Sequence, residues 1–141
     1  MPTRVSDAEW QGDLKTGKGS VALGSGAYEG QYNFSSRFES GVGTNPEELI
    51  AAAHAACFSM ALSAGLSGAG HKVESVKTTA RVKVDPVPGG FAITAIELVT
   101  QARIPGIDAA EFDRIAAATK EGCPVSKALQ AVPITLDARL V

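Results

Sequence analysis

From Leu49 to Gly70 the chain carries no charged side chain and is dominated by Ala, and no other stretch restricts its fold so strongly. Its length would suit a membrane span of roughly 20 residues. Its chemistry points elsewhere. Ser59, Ser63, Ser67 and His54 interrupt it, and Gly65, Gly68 and Gly70 loosen its end, so it gains little from lipid and reads as a buried helix of a water-soluble protein. Several signals in Thr44-Asn45-Pro46-Glu47-Glu48 mark where it starts. Asn45 suits the cap, Pro46 the first helical position, and Glu48 the place from which a capping-box side chain reaches back. A long helix is expected to begin there and to end between Gly65 and Gly70.

The flanking segments alternate as strands do. Ala8–Leu14 and Ser20–Leu23 enclose the turn chemistry of Lys15–Gly19 and predict a hairpin. Gln31-Tyr32-Asn33-Phe34 is expected as a further short strand leading into Ser36-Arg37-Phe38-Glu39, in an arm with little core of its own. Beyond the helix, Val76, Thr78, Ala80, Val82 and Val84 alternate with Lys77, Thr79, Arg81, Lys83 and Asp85 as a half-exposed strand. Asp85–Gly90 is expected to turn the chain into a returning strand, Phe91–Ile104. Asp108 with Glu111 opens a second helix whose stripe is Phe112, Ile115, Ala116 and Thr119 and whose stop is Gly122. Pro124 starts a short turn of helix, Val125 to Leu129, and Ile134–Leu140 is the final strand. The pattern is α+β: an N-terminal antiparallel β arm, a long central apolar helix, a β-hairpin, a second helix and a last strand. Residues 1–141 are expected to form a single domain, with no repeat or linker.

With 13 basic against 15 acidic residues and a net charge of -2, the chain has no electrostatic footprint for nucleic acid and no polybasic membrane patch. A small molecule is the expected substrate. Met1–Asp7 has no apolar segment of the signal-peptide kind, so the reducing cytosol is the expected location, and there two cysteines are not expected to form a permanent staple.

Those two cysteines are set differently. Cys57 lies inside the apolar helix, where a thiol ordinarily behaves as a small hydrophobe, and its activation would need a cation from elsewhere. Arg37 is the nearest in sequence. Cys123 precedes Pro124, so it sits at a cap with its sulfur near the positive end of a helix dipole. The pair is too far apart for a C-x-x-C loop, and His54 and His71 do not give zinc spacing with it. No metal is expected, and His54 reads as a satisfied core or interface histidine. Glu47 suits the helix dipole and Arg37 suits the surface, so the residues by themselves leave redox chemistry and inert packing both open.

Taken together, Arg37-Phe38-Glu39, Gly43–Ile50, His54–Ser63 and Gly122-Cys123-Pro124-Val125-Ser126 resemble the OsmC/Ohr family of peroxide-reducing proteins, on its OsmC branch. Ala8–Leu14 and Pro105–Ala109 extend the resemblance over nearly the whole chain. The likeness implies that Cys57 is the peroxidatic cysteine, Cys123 the second cysteine, Arg37 the arginine beside the reactive thiol and Glu47 the glutamate that holds it. It implies an OsmC-like intertwined homodimer with sites at its interface. It also implies a peroxidase that prefers organic hydroperoxides to hydrogen peroxide and uses no cofactor. The cycle would run through a Cys57 sulfenic acid and a Cys57–Cys123 disulfide, reduced by an external dithiol of which a lipoyl group is one candidate.

One geometric constraint accompanies this. On a single helix Glu47 and Cys57 are roughly 15 Å apart along the axis, beyond direct contact. Two arrangements meet it: antiparallel copies of the helix crossing near Ala52, which levels Glu47 of one with Cys57 of the other, or Arg37 bridging the gap within one subunit. Two other functions remain distinct from catalysis, a noncatalytic stress-induced small-ligand binder and a cysteine redox sensor. Sustained turnover of peroxide with a dithiol separates the enzyme from both.

Overall fold

The computed structural model describes residues 1–141. They form a mixed α+β chain of four helices and two three-stranded sheets, and the contacts divide it into two compact units, Met1–Leu49 and Ile50–Val141.

In the first unit β1 (Ser6–Gln11), β2 (Lys18–Leu23) and β3 (Glu29–Tyr32) pair antiparallel in that order. The register aligns Trp10, Gly19 and Tyr32 across the sheet, and the Trp10 and Tyr32 rings meet with centroids 5.4 Å apart. A Cβ on Gly19 would come within 2.5 Å of the Tyr32 ring, so only glycine admits this ring pair. β1 stops at Gln11, short of the expected Leu14. Gly12 turns at φ 94°, and the Asp13 carboxylate accepts hydrogen bonds from the Thr16 amide and hydroxyl at 2.7 and 2.8 Å.

The segment expected as a strand to Phe34 also ends early, at Tyr32. Asn33 instead caps α1 (Phe34–Phe38): its side chain accepts from the Ser36 amide at 2.8 Å, and Ser36 Oγ accepts from the Asn33 amide at 2.9 Å. This capping box satisfies two otherwise orphaned donors and outweighs the aromatic alternation that favoured a strand.

α2 spans Pro46–Gly68. Asn45 caps it as the residues predict, accepting from the Glu48 amide at 2.7 Å, while the Glu48 carboxylate takes the Thr44 hydroxyl at 2.7 Å rather than reaching back to Asn45. Along α2, His54, Phe58, Leu62 and Leu66 recur every fourth residue and are fully buried. By length and composition α2 is apolar enough to cross a bilayer. Phe58, Leu62 and Leu66, however, face protein: they form one core with Ile96, Leu98 and Ala102 of β5 (Gly90–Arg103) and Phe112, Ile115 and Ala116 of α3 (Ala109–Gly122). Each large apolar side chain buried there contributes about 1.5–3 kcal/mol.

β4 (Ser75–Val87) pairs antiparallel with β5 (Gly90–Arg103), and β6 (Ile134–Leu140) pairs parallel with β5, so β5 is central. The expected turn from Asp85 to Gly90 is narrower in the structure. Asp85, Pro86 and Val87 continue the ladder opposite Ala92, Phe91 and Gly90, leaving Pro88 and Gly89 to turn. Pro86 is tolerated because β4 is an edge strand, where a missing amide proton breaks no interior ladder. The parallel return of β6 is carried by α3 (Ala109–Gly122) and α4 (Pro124–Ala128). A chain of hydroxyls, Ser59 to Thr78 at 2.7 Å and Thr78 to Thr100 at 2.9 Å, fastens α2 to the sheet.

Candidate active site

The apolar register of α2 presents Cys57 beside the core, and the junction of α3 and α4 presents Cys123 to it. α3 ends when the Cys123 amide donates to the Thr119 carbonyl at 2.8 Å, and Pro124, which has no amide proton to lose, then starts α4. The two sulfurs are 3.1 Å apart and both thiols are free. Cys57 is half-buried, whereas Cys123 is 1% exposed.

The environment treats the two thiols unequally. Burial raises the Cys57 pKa, and the neighbouring Cys123 raises it further against a smaller opposing effect of the Val125 amide. Burial is also the largest influence on Cys123, but hydrogen bonding from the Ser126 amide, Cys57, the Ser126 hydroxyl and the Val125 amide together overcomes it. The Cys123 pKa is therefore lowered. Sulfurs this close titrate as a coupled pair, and the first proton lost leaves one negative charge shared between them.

His54 lies one turn before Phe58 on the buried stripe, and its Nε2 is 2.7 Å from Ser126 Oγ. This places a histidine and a hydroxyl behind Cys123. Burial lowers the His54 pKa, so the imidazole is neutral near pH 7. The sequence marks His54 as a core histidine and Ser126 merely as part of a motif. The usable signal was the three-residue step from Cys123 to Ser126, the spacing from a cap to the third helical residue.

In the first unit, α1 carries Arg37 and the first turn of α2 carries Glu47. The Arg37 Nε donates to both carboxylate oxygens at 3.2 Å and its Nη2 donates to Oε1 at 2.8 Å, a forked geometry that fixes the guanidinium. Glu47 is buried, while the Arg37 side chain keeps 36% of its surface. Beside the pair is a cleft of about 310 Å³ walled by Trp10, Leu14, Tyr32, Phe34, Arg37 and Phe38. Of the apolar residues read as possible neighbours of an organic group, Phe38 lines this cleft, Phe58 is core and Met60 is 79% exposed. The four residues singled out in the sequence thus occur as two pairs, Arg37 with Glu47 and Cys57 with Cys123.

The family model described as OsmC-like protein matches residues 39–137. The chain is 56% identical over 138 residues, 97% of its own length and 96% of the relative's, to peroxiredoxin OsmC of Escherichia coli. This chain belongs to the OsmC family. The family extends to more distant relatives: an organic hydroperoxide resistance protein of Xanthomonas axonopodis is 37% identical over 98 residues, 68% of this chain and 67% of that one. The crystal structure of an organic hydroperoxide resistance protein from Elizabethkingia anophelis superposes on the OsmC chain with a TM-score of 0.69 at 26% identity, covering 99% of this chain and 96% of the other.

Proposed function

We propose that this OsmC protein is a thiol peroxidase that reduces organic hydroperoxides to alcohols, and hydrogen peroxide less well, through Cys57 and Cys123. Its 56% identity to a peroxiredoxin over nearly the full length supports the peroxidase activity. The observation that carries the mechanism is the pair of free thiols 3.1 Å apart, one half-buried and the other wholly enclosed. Cys57 is the more exposed residue of the two, which supports taking it as the attacking one.

In the first step the Cys57 thiolate takes one peroxide oxygen. A sulfur–oxygen bond forms, the O–O bond breaks, and the departing alkoxide collects a proton to become an alcohol. In the second, the Cys123 thiolate attacks the Cys57 sulfenic acid, forming the disulfide and expelling hydroxide, which becomes water on taking a proton. A dithiol then reduces the disulfide by exchange, with a lipoyl-type dithiol as the candidate partner. Because its own surroundings raise the Cys57 pKa, the first step requires a cation that draws the shared charge onto Cys57. Arg37, oriented by the Glu47 fork, takes that role, and the aromatic cleft on whose wall it stands suits an organic substituent.

The working form is a cytoplasmic homodimer of single OsmC-like domains over residues 1–141. Ala52, Ala53, Ala56, Met60 and Ala64 are exposed on the otherwise apolar α2, and a second copy of this chain covers them. Small residues permit the close antiparallel approach that levels Glu47 of one copy with Cys57 of the other.

The test is steady-state reduction of cumene hydroperoxide beside hydrogen peroxide, with dihydrolipoamide and a monothiol compared as reductants. Sustained turnover, faster with the organic peroxide and with the dithiol, is expected. One stoichiometric oxidation would establish a sensor instead, and no loss of thiol would establish a binder.

A further inference from the structure

α1 is five residues long, too short to hold its shape unaided in water, where an isolated helix needs roughly 12–15. Yet it carries Arg37, whose guanidinium meets Glu47 in a fork that tolerates little displacement. Something outside α1 must therefore fix the backbone from which Arg37 springs. The peptide group between Ser36 and Arg37 is gripped at both ends. Its nitrogen donates to the Asn33 carbonyl at 3.1 Å within the helix. Its oxygen, one of the carbonyls that a helix end leaves without an internal partner, accepts from Asn45 Nδ2 at 3.0 Å. The Ser36 hydroxyl adds a second tie: its single proton lies nearer the Thr44 carbonyl, at 2.8 Å, than the Asn33 carbonyl, at 3.2 Å, and Ser36 and Thr44 are both buried.

The Asn45 carboxamide thus works in two directions. Its Oδ1 accepts from the Glu48 amide at 2.7 Å, capping α2 beside Glu47, while its Nδ2 holds the carbonyl that precedes Arg37. Both partners have fixed roles, an amide that only donates and a carbonyl that only accepts, so the neighbours set the orientation of the carboxamide. A cap needs only the oxygen, and Ser or Asp supplies it as well. The nitrogen is surplus to capping, and it goes to the peptide group that leads into Arg37.

We propose that Asn45 and Ser36 are positioning residues that hold the Arg37 guanidinium in the Glu47 fork, the Asn45 carboxamide clamping α1 to the first turn of α2. Their part in the reaction rests on reading Arg37 as the cation that draws charge onto Cys57. They make and break no bond themselves and act through Arg37. With its backbone released, that long side chain gives up the fork for water and loses the fixed direction of its charge.

Asn45→Ser separates the two duties, since a serine oxygen still caps α2 but brings no nitrogen to the Ser36 carbonyl. Nitrogen NMR of arginine-labelled protein follows the Arg37 Nε–H, identified by its disappearance in Arg37→Lys. The fork shields it in wild type; in Asn45→Ser and in Ser36→Ala it should exchange with water at least about fivefold faster, while helix content stays that of wild type. In a Cys123→Ser background, where Cys57 is the sole thiol, both variants should also raise the pH midpoint of Cys57 alkylation by about half a unit. Unchanged Nε–H exchange in folded Asn45→Ser overturns the clamp. Should Asn45→Ser not fold, Asn45→Asp, which also caps and has no N–H to offer, is read by the same criterion. Faster exchange, with a Cys57 midpoint that moves neither in these variants nor in Arg37→Ala, would remove Arg37 from the peroxidase and leave the clamp standing. A midpoint that moves in Arg37→Ala alone, with exchange unchanged in the others, would do the reverse.

Discussion

The Cys57 and Cys123 sulfurs lie 3.1 Å apart with no bond between them, and a disulfide needs them only about 1 Å closer. One equivalent of peroxide should therefore lock the two within a single chain. Cys57→Ser should lower turnover to below about one-thousandth of wild type, as loss of a nucleophile does elsewhere. Cys123→Ser should still consume one peroxide and then stall as a sulfenic acid that dimedone traps. Mass spectrometry of the peptides separates these outcomes, and full activity in Cys57→Ser would remove it as the attacking residue.

Arg37 neutralises a buried carboxylate, so Arg37→Ala strands the Glu47 charge. The expected loss in a denaturant titration is about 1–2 kcal/mol, less than for a fully enclosed pair because Arg37 retains contact with water. Arg37→Lys should recover little, since an ammonium cannot reproduce the fork. If Arg37 serves Cys57, both variants also slow alkylation of Cys57 at neutral pH, and an unaltered pH profile would exclude that service.

His54 couples stability to pH. Its folded pKa is depressed by burial, so between the unfolded value near 6.5 and the folded value the unfolded chain binds the extra proton. Stability from this group is complete above about pH 6.5 and falls as pH drops, by at most about 1.4 kcal/mol per pH unit. Urea melts from pH 7.5 to 5 should show the decline, and His54→Gln should flatten it. A variant as acid-sensitive as wild type would place the effect in other groups.

Met60 is the largest side chain on the exposed stripe of α2. Met60→Glu places a charge where a second copy is proposed to pack, and should weaken self-association at least tenfold, about 1.4 kcal/mol. Light scattering over micromolar concentrations reads this. A wild-type protein that is monomeric throughout would end the homodimer proposal.

Much of this architecture was legible in residue patterns. The caps at Asn45 and Asp108, the alternation of Val76–Val84 and the stop at Gly122 recur in the structure because each depends on local chemistry. Misjudged points came from competition between local and nonlocal effects. Tyr32 and Phe34 alternate like a strand, yet the Asn33–Ser36 capping box turns Phe34 into a helix. Asp85-Pro86 has turn composition, yet β5 supplies a partner that keeps it extended. The parallel pairing of β6 with β5 carries no local mark, since it depends on where α3 and α4 deliver the chain. The contact of His54 with Ser126, 72 positions apart, is equally invisible from either residue alone.

The thirteen-residue β4 lies at the margin of its sheet, with one ladder of backbone groups unclaimed. Such a margin is a template on which further chains can stack into aggregates, yet here its outward face carries Lys77, Arg81 and Lys83, and Pro86 removes a donor near its end. Like charges resist the in-register stacking of one copy on another. The margin of β4 thus presents a poor nucleus for edge-to-edge fibril growth.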